Sequence, residues 1–126
     1  MRIGAAYAGA PKSNYTYDES LLVQANKCIA FTRMSTLAEL NNPNVKVRDA
    51  RLTVYNEKTL KLGAGKTFDI GVHKVTTGWT GKKVTNNKRP SYDKTKAATM
   101  SLQKKGKYSC AVTELVKSWY QGVPNY

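Results

Sequence analysis

The sequence has few of the residues from which active sites and metal sites are built. It contains one histidine, His73, and eight acidic residues against 21 lysines and arginines. His73 alternates with Val72 in a strand-like segment, which favours a surface or packed structural histidine over a catalytic base. Two distant cysteines and one histidine do not make a metal cluster, and the carboxylates are scattered apart from Asp18-Glu19. The composition therefore predicts a protein that is not an enzyme and has no cofactor or metal.

Long hydrophobic runs are also missing. No apolar stretch approaches the roughly 18–20 residues of a membrane-spanning helix, so no membrane insertion is expected. Residues 1–14 lack the apolar central block of a secretion signal. Either a signal has been removed or the protein leaves its cell by another route.

Cysteine is scarce, with Cys28 and Cys110 as the only two. Both lie in strand-like segments. They could form one disulfide closing a long loop, which would contribute about 4 kcal/mol in the chain-entropy model. They could equally be two buried thiols, since reduced cysteine packs like a small hydrophobe. We favour buried thiols, because the absence of a recognisable signal weakens the case for an oxidising compartment.

Positive charge is what the chain has in excess. The net charge is +13, and charge of this size is an argument about partners rather than about fold. Acidic polysaccharide, nucleic acid and other polyanions are the natural partners. The alternative is that the charge only maintains solubility, because a basic surface alone selects no partner. Nucleic acid is the less favoured polyanion, since no recognised binding motif is present.

Short alternating strands separated by turn residues dominate the chain. We expect strands over residues 5–8, 21–25, 28–34, 45–55, 67–75, 97–102 and 107–112. The second and third of these should pair as a hairpin, as should the last two, and a bulge is expected at Arg48-Asp49. One helix is predicted over residues 113–121, with Thr113 as its N-cap. The pattern predicts one domain, residues 1–126, of all-β class: an antiparallel β-sandwich or jelly roll with one short C-terminal helix.

The segment 72–93 carries the densest positive charge. It begins as a strand and breaks into a loop rich in Thr, Gly, Asn, Lys and Pro. Aromatic rings stack on sugar faces, and cations pair with uronate or phosphate groups. The candidate ligand-binding residues are therefore Trp79, Lys82, Lys83, Lys88, Arg89, Tyr92 and Lys94. For Trp79 a second interpretation stays open, in which the ring anchors the loop in the core.

Two blocks of the sequence carry a family resemblance. The first has the order V-T-x-x-W-T, V-T-x-N-x-x-P, and the second G-x-Y-S-x-x-V-T-x-L-V-x-x-W-x-x-G-x-x-N-Y. The matching residues are Val75, Thr76, Trp79, Thr80, Val84, Thr85, Asn87 and Pro90, then Gly106, Tyr108, Ser109, Val112, Thr113, Leu115, Val116, Trp119, Gly122, Asn125 and Tyr126. These motifs resemble the DNRLRE family, whose modules resemble carbohydrate-binding β-sandwich domains and occur in bacterial surface and secreted proteins. The resemblance implies a structural role for Trp79.

The chain departs from the family pattern in three places. Ala111 stands where the family has an aspartate, and Phe31-Thr32-Arg33 replaces its R-F-D strand. The family's last strand is missing, because the sequence ends at Tyr126. A missing strand implies an unfinished sheet edge that is capped locally or filled by another chain.

These observations lead to three functional hypotheses. The leading one is a non-catalytic structural or adhesive subunit of an outer-surface assembly, on a virion or a bacterial cell. It would contact copies of itself or other assembly proteins through the unfinished edge, and an acidic glycan or acidic partner through the basic loop. The alternative is a carbohydrate-binding module that targets an enzyme to an acidic polysaccharide. The least favoured is a sequence-indifferent nucleic-acid-binding protein.

Overall fold

The computed structural model describes residues 2–7 (as backbone), 12, 23–25, 27–38 and 42–126. In chain order its elements are β1 (Arg2–Tyr7), β2 (Cys28–Arg33), β3 (Arg51–Asn56), β4 (Phe68–Val75), β5 (Tyr92–Leu102), β6 (Gly106–Ala111) and α1 (Thr113–Tyr120). The strands pair in twos: β1 with β2, β3 with β6, and β4 with β5. Antiparallel strand pairs followed by one short C-terminal helix confirm the predicted all-β class, that of an antiparallel β-sandwich or jelly roll.

The described residues belong to two compact units, each with its own buried core. Unit 1 is drawn from Met1–Thr36, Val75–Tyr92 and Pro124–Tyr126, and unit 2 from Leu37–Lys74 and Asp93–Val123. A single domain spanning residues 1–126 remains a prediction.

In unit 1 strand β2 has a partner that the sequence pattern does not indicate. Strand β2 pairs with β1, in register from Arg2 opposite Arg33 to Tyr7 opposite Cys28. The expected hairpin of residues 21–25 with 28–34 lies partly outside the described residues, and within them its turn end is present as an antiparallel bridge between Gln24 and Cys28. The Gln24 N–H donates to the Cys28 carbonyl at 3.2 Å, and the N–H groups of Lys27 and Cys28 both donate to the Gln24 carbonyl, each at 3.0 Å.

In unit 2 the expected hairpin of residues 97–102 with 107–112, which correspond to β5 and β6, is wrong. Strand β6 follows β5 across a tight turn but pairs with β3, from Arg51 opposite Ala111 to Asn56 opposite Gly106. The turn between β5 and β6 is held by a side chain and not by hydrogen bonds between the two strands. The Tyr108 hydroxyl accepts hydrogen bonds from the N–H groups of Gln103 at 3.1 Å and Lys104 at 2.9 Å, and donates to the Lys104 carbonyl at 2.7 Å.

The strand expected over residues 45–55 starts later, at Arg51, so the expected bulge at Arg48-Asp49 lies outside it. The backbone of the preceding segment is occupied elsewhere: the Ala50 N–H donates to Thr113 Oγ1 at 3.1 Å. For the same reason Thr113 is not the N-cap of α1. Val112 holds that position without a side-chain capping bond.

Both cysteines are buried thiols, and neither is part of a disulfide, which confirms the favoured interpretation. Burial raises the pKa of Cys28 and of Cys110, which disfavours their reactive thiolate forms. Within the described residues, no helix has the length and hydropathy needed to cross a bilayer.

Candidate functional site

The basic loop, residues 76–91, is anchored in the core of unit 1. Val84 is only 1% exposed and Trp79 is 8% exposed, and Pro90 is buried as well. The Trp79 ring packs against Phe31, with 6.1 Å between the ring centroids and a tilt of 58°. Ile29, Val75, Tyr92 and Tyr126 complete the cluster. Burying apolar side chains along the loop holds its backbone in one conformation.

Hydrogen bonds close the base of the loop. The Thr76 N–H donates to the Ser91 carbonyl at 2.8 Å, and the Ser91 N–H donates to Thr77 Oγ1 at 2.9 Å. These two bonds join the chain entering the loop to the chain leaving it.

Two tight turns shape the loop above this base. The first is the 3-10 turn Gly81–Lys83, in which the Val84 N–H donates to the Gly81 carbonyl at 3.2 Å. In the second, the Lys88 N–H lies 3.1 Å from both the carbonyl and the Oγ1 of Thr85. In the first turn Gly81 and Val84 are buried and Lys82 and Lys83 are exposed, and in the second turn Asn87 and Lys88 are exposed.

Four of the predicted site residues lie on these turns. Lys82 and Lys83 belong to the 3-10 turn, Lys88 ends the second turn with Arg89 directly after it, and all four side chains are exposed. None forms an ion pair with a carboxylate of the described residues. In sequence, no acidic residue occurs between Asp69 and Asp93. The turns thus present positive charge that no described carboxylate pairs with.

The other three predicted residues are placed differently. Trp79 is a core residue, so its burial favours anchoring over stacking on a ligand. Tyr92 is half-buried against the same core. Lys94 is exposed but lies in β5, within unit 2, because that strand begins earlier than the sequence pattern indicates.

Sequence reasoning missed a groove in unit 2. It has a volume of about 820 Å³ and lies between residues 42–48 and α1, with Lys46, Arg48, Lys117 and Tyr120 among its lining side chains. The sequence pattern predicts a strand over residues 45–55, and a strand there gives no indication of a groove. The feature of the sequence that indicates the cations of this groove is the alternation of valines with cations in V-K-V-R.

The histidine and the carboxylates have structural roles where they are described. His73 Nδ1 donates to the Asp93 carbonyl at 2.8 Å, which ties β4 to β5. Across the described residues, no three His, Cys, Asp or Glu side chains come close enough to hold a metal ion. Asp18-Glu19 lies outside the described residues.

Comparison with known proteins adds one finding. A family model described as carbohydrate-binding module family 96 matches residues 6–126. No curated protein and no solved structure matches the chain. The match supports the carbohydrate-binding part of the resemblance noted in the sequence, and it agrees with a non-catalytic binding domain.

Proposed function

Because the chain belongs to carbohydrate-binding module family 96, we propose that it is a non-catalytic module that binds an acidic polysaccharide through the basic loop. Membership of this family indicates that the ligand is a carbohydrate. The acidic character of the ligand and the location of the site are inferred from the four exposed cations of the two tight turns. Lysine ammonium and arginine guanidinium groups form charge-assisted hydrogen bonds with carboxylates such as those of uronic acids.

The residues of the loop divide into two roles under this proposal. Lys82, Lys83, Lys88 and Arg89 contact the anionic groups of the polysaccharide. Trp79 and Val84 hold the turns in place from within the core, so that little conformational entropy is lost on binding. The module would act outside the cell, where it keeps an attached or associated protein close to its polysaccharide.

The family match favours this function over the leading hypothesis from sequence, a structural subunit of a virion or bacterial surface assembly. Contact with copies of itself or with assembly proteins has no support in the described residues or in the comparisons. Nucleic acid binding is motivated by the net charge alone.

Charge-removing variants of the loop test the proposal. We expect the triple variant Lys82→Gln, Lys83→Gln, Lys88→Gln to bind a polyuronate roughly tenfold more weakly than the wild type, because three charged contacts are lost. The matched control is Lys58→Gln, Lys61→Gln, Lys66→Gln, which removes three exposed lysines from a loop of unit 2. Isothermal titration calorimetry measures both.

Three outcomes would contradict the proposal. Equal weakening in both triple variants would mean that overall charge, and not the loop, attracts the polymer. Equal affinity for a neutral polysaccharide would mean that the cations do not select the ligand. Tighter binding to DNA of arbitrary sequence, falling steeply with salt, would favour the nucleic-acid hypothesis.

A further inference from the structure

We infer that the groove of unit 2 is a second saccharide-binding site, which takes an anionic sugar. The inference rests on the proposed function, since family membership is what indicates a sugar as the ligand. The groove and the basic loop belong to different units and share no residue. The two sites can therefore be tested separately.

One wall of the groove, residues 42–48, is held at its start by a turn. The N–H of Asn44 donates to Asn42 Oδ1 at 2.9 Å, and the N–H of Val45 donates to the Asn42 carbonyl at 2.9 Å. These bonds fix the direction in which the segment leaves Pro43. Lys46 and Arg48 follow directly and line the groove.

The same wall is held beyond its far end by the start of α1. The Ala50 N–H donates to Thr113 Oγ1 at 3.1 Å, and the Val112 N–H donates to the Ala50 carbonyl at 2.8 Å. The segment is thus tied down at both ends although it belongs to no strand. A groove that is formed before the ligand arrives loses less entropy on binding.

The facing wall provides an aromatic ring. Tyr120, in the last turn of α1, is half-buried, and its hydroxyl accepts a hydrogen bond from the Leu37 N–H at 3.0 Å. This bond holds the ring in position beside the groove. A tyrosine ring with one apolar face available suits the C–H face of a pyranose.

The charge of the lining indicates an anionic sugar. Lys46 and Arg48 form no ion pair with any described carboxylate, and none of the described carboxylates lines the groove. Lys117 is already 3.5 Å from Glu114 Oε1, so we assign the ligand contacts to the other two cations. The planar guanidinium of Arg48 can bind a carboxylate through two parallel hydrogen bonds.

Size and composition distinguish this groove from a second cavity in unit 2. At about 820 Å³ the groove lies within the range typical of small-molecule sites. The other cavity measures about 370 Å³, and its lining includes Asp93 and Glu114, whose charges balance those of Lys74 and Lys96. Those carboxylates disfavour an anionic ligand, so the groove is the site that fits a uronic acid.

Amide chemical shifts measured during titration with a uronic acid tetrasaccharide test the inference. We expect two sets of ¹⁵N-labelled amides to shift in the wild type, one at residues 81–89 and one at residues 44–48 and 120–121. In the variant Lys46→Gln, Arg48→Gln the second set should show on the order of tenfold weaker binding, with the first unchanged. The control Lys58→Gln, Lys61→Gln should retain both sets.

The outcomes separate this inference from the proposed function. Shifts at the groove that survive in the groove variant, or shifts confined to the basic loop, would overturn the groove while leaving the proposed function intact. Shifts confined to the groove and lost in its variant would support the groove and overturn the loop as the binding site. A wild type that binds no acidic oligosaccharide would overturn both.

Discussion

At the scale of the residue, chemical type and environment lead to different conclusions for the same side chain. Trp79 has the ring that a sugar-binding site uses, yet it is 8% exposed and packs against Phe31. Lys82 and Lys83 have long side chains that reach solvent from a short turn. Under the proposed function, the tryptophan would therefore affect binding through the loop backbone, and the lysines would contact the ligand directly.

The variant Trp79→Phe tests this division. We expect it to lower the free energy of unfolding by roughly 1–3 kcal/mol, less than truncation to alanine would, because a smaller ring leaves a gap in the core. The affinity of the folded protein for a polyuronate should change by less than about threefold. Urea unfolding and calorimetry measure the two quantities. Unchanged stability with strongly weakened binding would mean that the ring contacts the ligand.

Asp69 gives the stability a dependence on pH. Its pKa is lowered because its carboxylate accepts hydrogen bonds from Ser101 and from Thr67, whose Oγ1 lies at 2.8 Å. A pKa that is lower in the folded state means that the ionised group stabilises the fold above the unfolded-state value of about 3.9. This contribution is lost as the pH falls through the folded-state pKa.

We therefore expect Asp69→Asn to unfold at a lower urea concentration than the wild type at pH 7. The difference should shrink as the pH falls through the folded-state pKa of Asp69, because the wild-type carboxyl then becomes protonated too. Urea titrations at several pH values measure it. A difference of the same size at both ends of the range would mean that ionisation of Asp69 has no part in it.

At the scale of the element, side chains and turns complete the backbone hydrogen bonding that strand pairing leaves open. Thr113 illustrates this, because its hydroxyl accepts from the Ala50 N–H instead of capping α1. Tyr108 does the same for the turn between β5 and β6. Such bonds join segments that sequence patterns treat as separate elements.

The variant Thr113→Val removes the hydroxyl and keeps the shape of the side chain. We expect a loss of about 1–2 kcal/mol in the free energy of unfolding, because the Ala50 N–H loses its acceptor in a half-buried position. Hydrogen exchange at the Ala50 amide should become faster. Thr53→Val, at an exposed position of β3, is the control and should leave both quantities nearly unchanged.

At the scale of the whole molecule, the net charge of +13 limits the partners without choosing among them. Membership of carbohydrate-binding module family 96 favours a carbohydrate as the partner. A binding module needs no copies of itself to function, whereas the assembly hypothesis from sequence requires them.

Light scattering across a concentration series tests this difference directly. We expect the mass of a single chain at every concentration, because the high net charge opposes self-association. A mass that grows to that of dimers, rings or filaments would instead favour the assembly hypothesis over the binding module. Repeating the series in high salt controls for charge repulsion, which salt screens within about 10 Å at 0.1 M.

The sequence by itself determined the all-β class, the C-terminal helix, the buried thiols and the position of the cation-rich turns, because these depend on local alternation, composition and turn residues. It could not determine which strands pair, since β5 and β6 are neighbours in sequence but belong to different pairs. Tertiary structure alone decided that Trp79 is buried and that residues 42–48 face Tyr120 across a groove. Pairing and burial depend on contacts between residues far apart in the chain, and alternation along one segment carries no information about its partner.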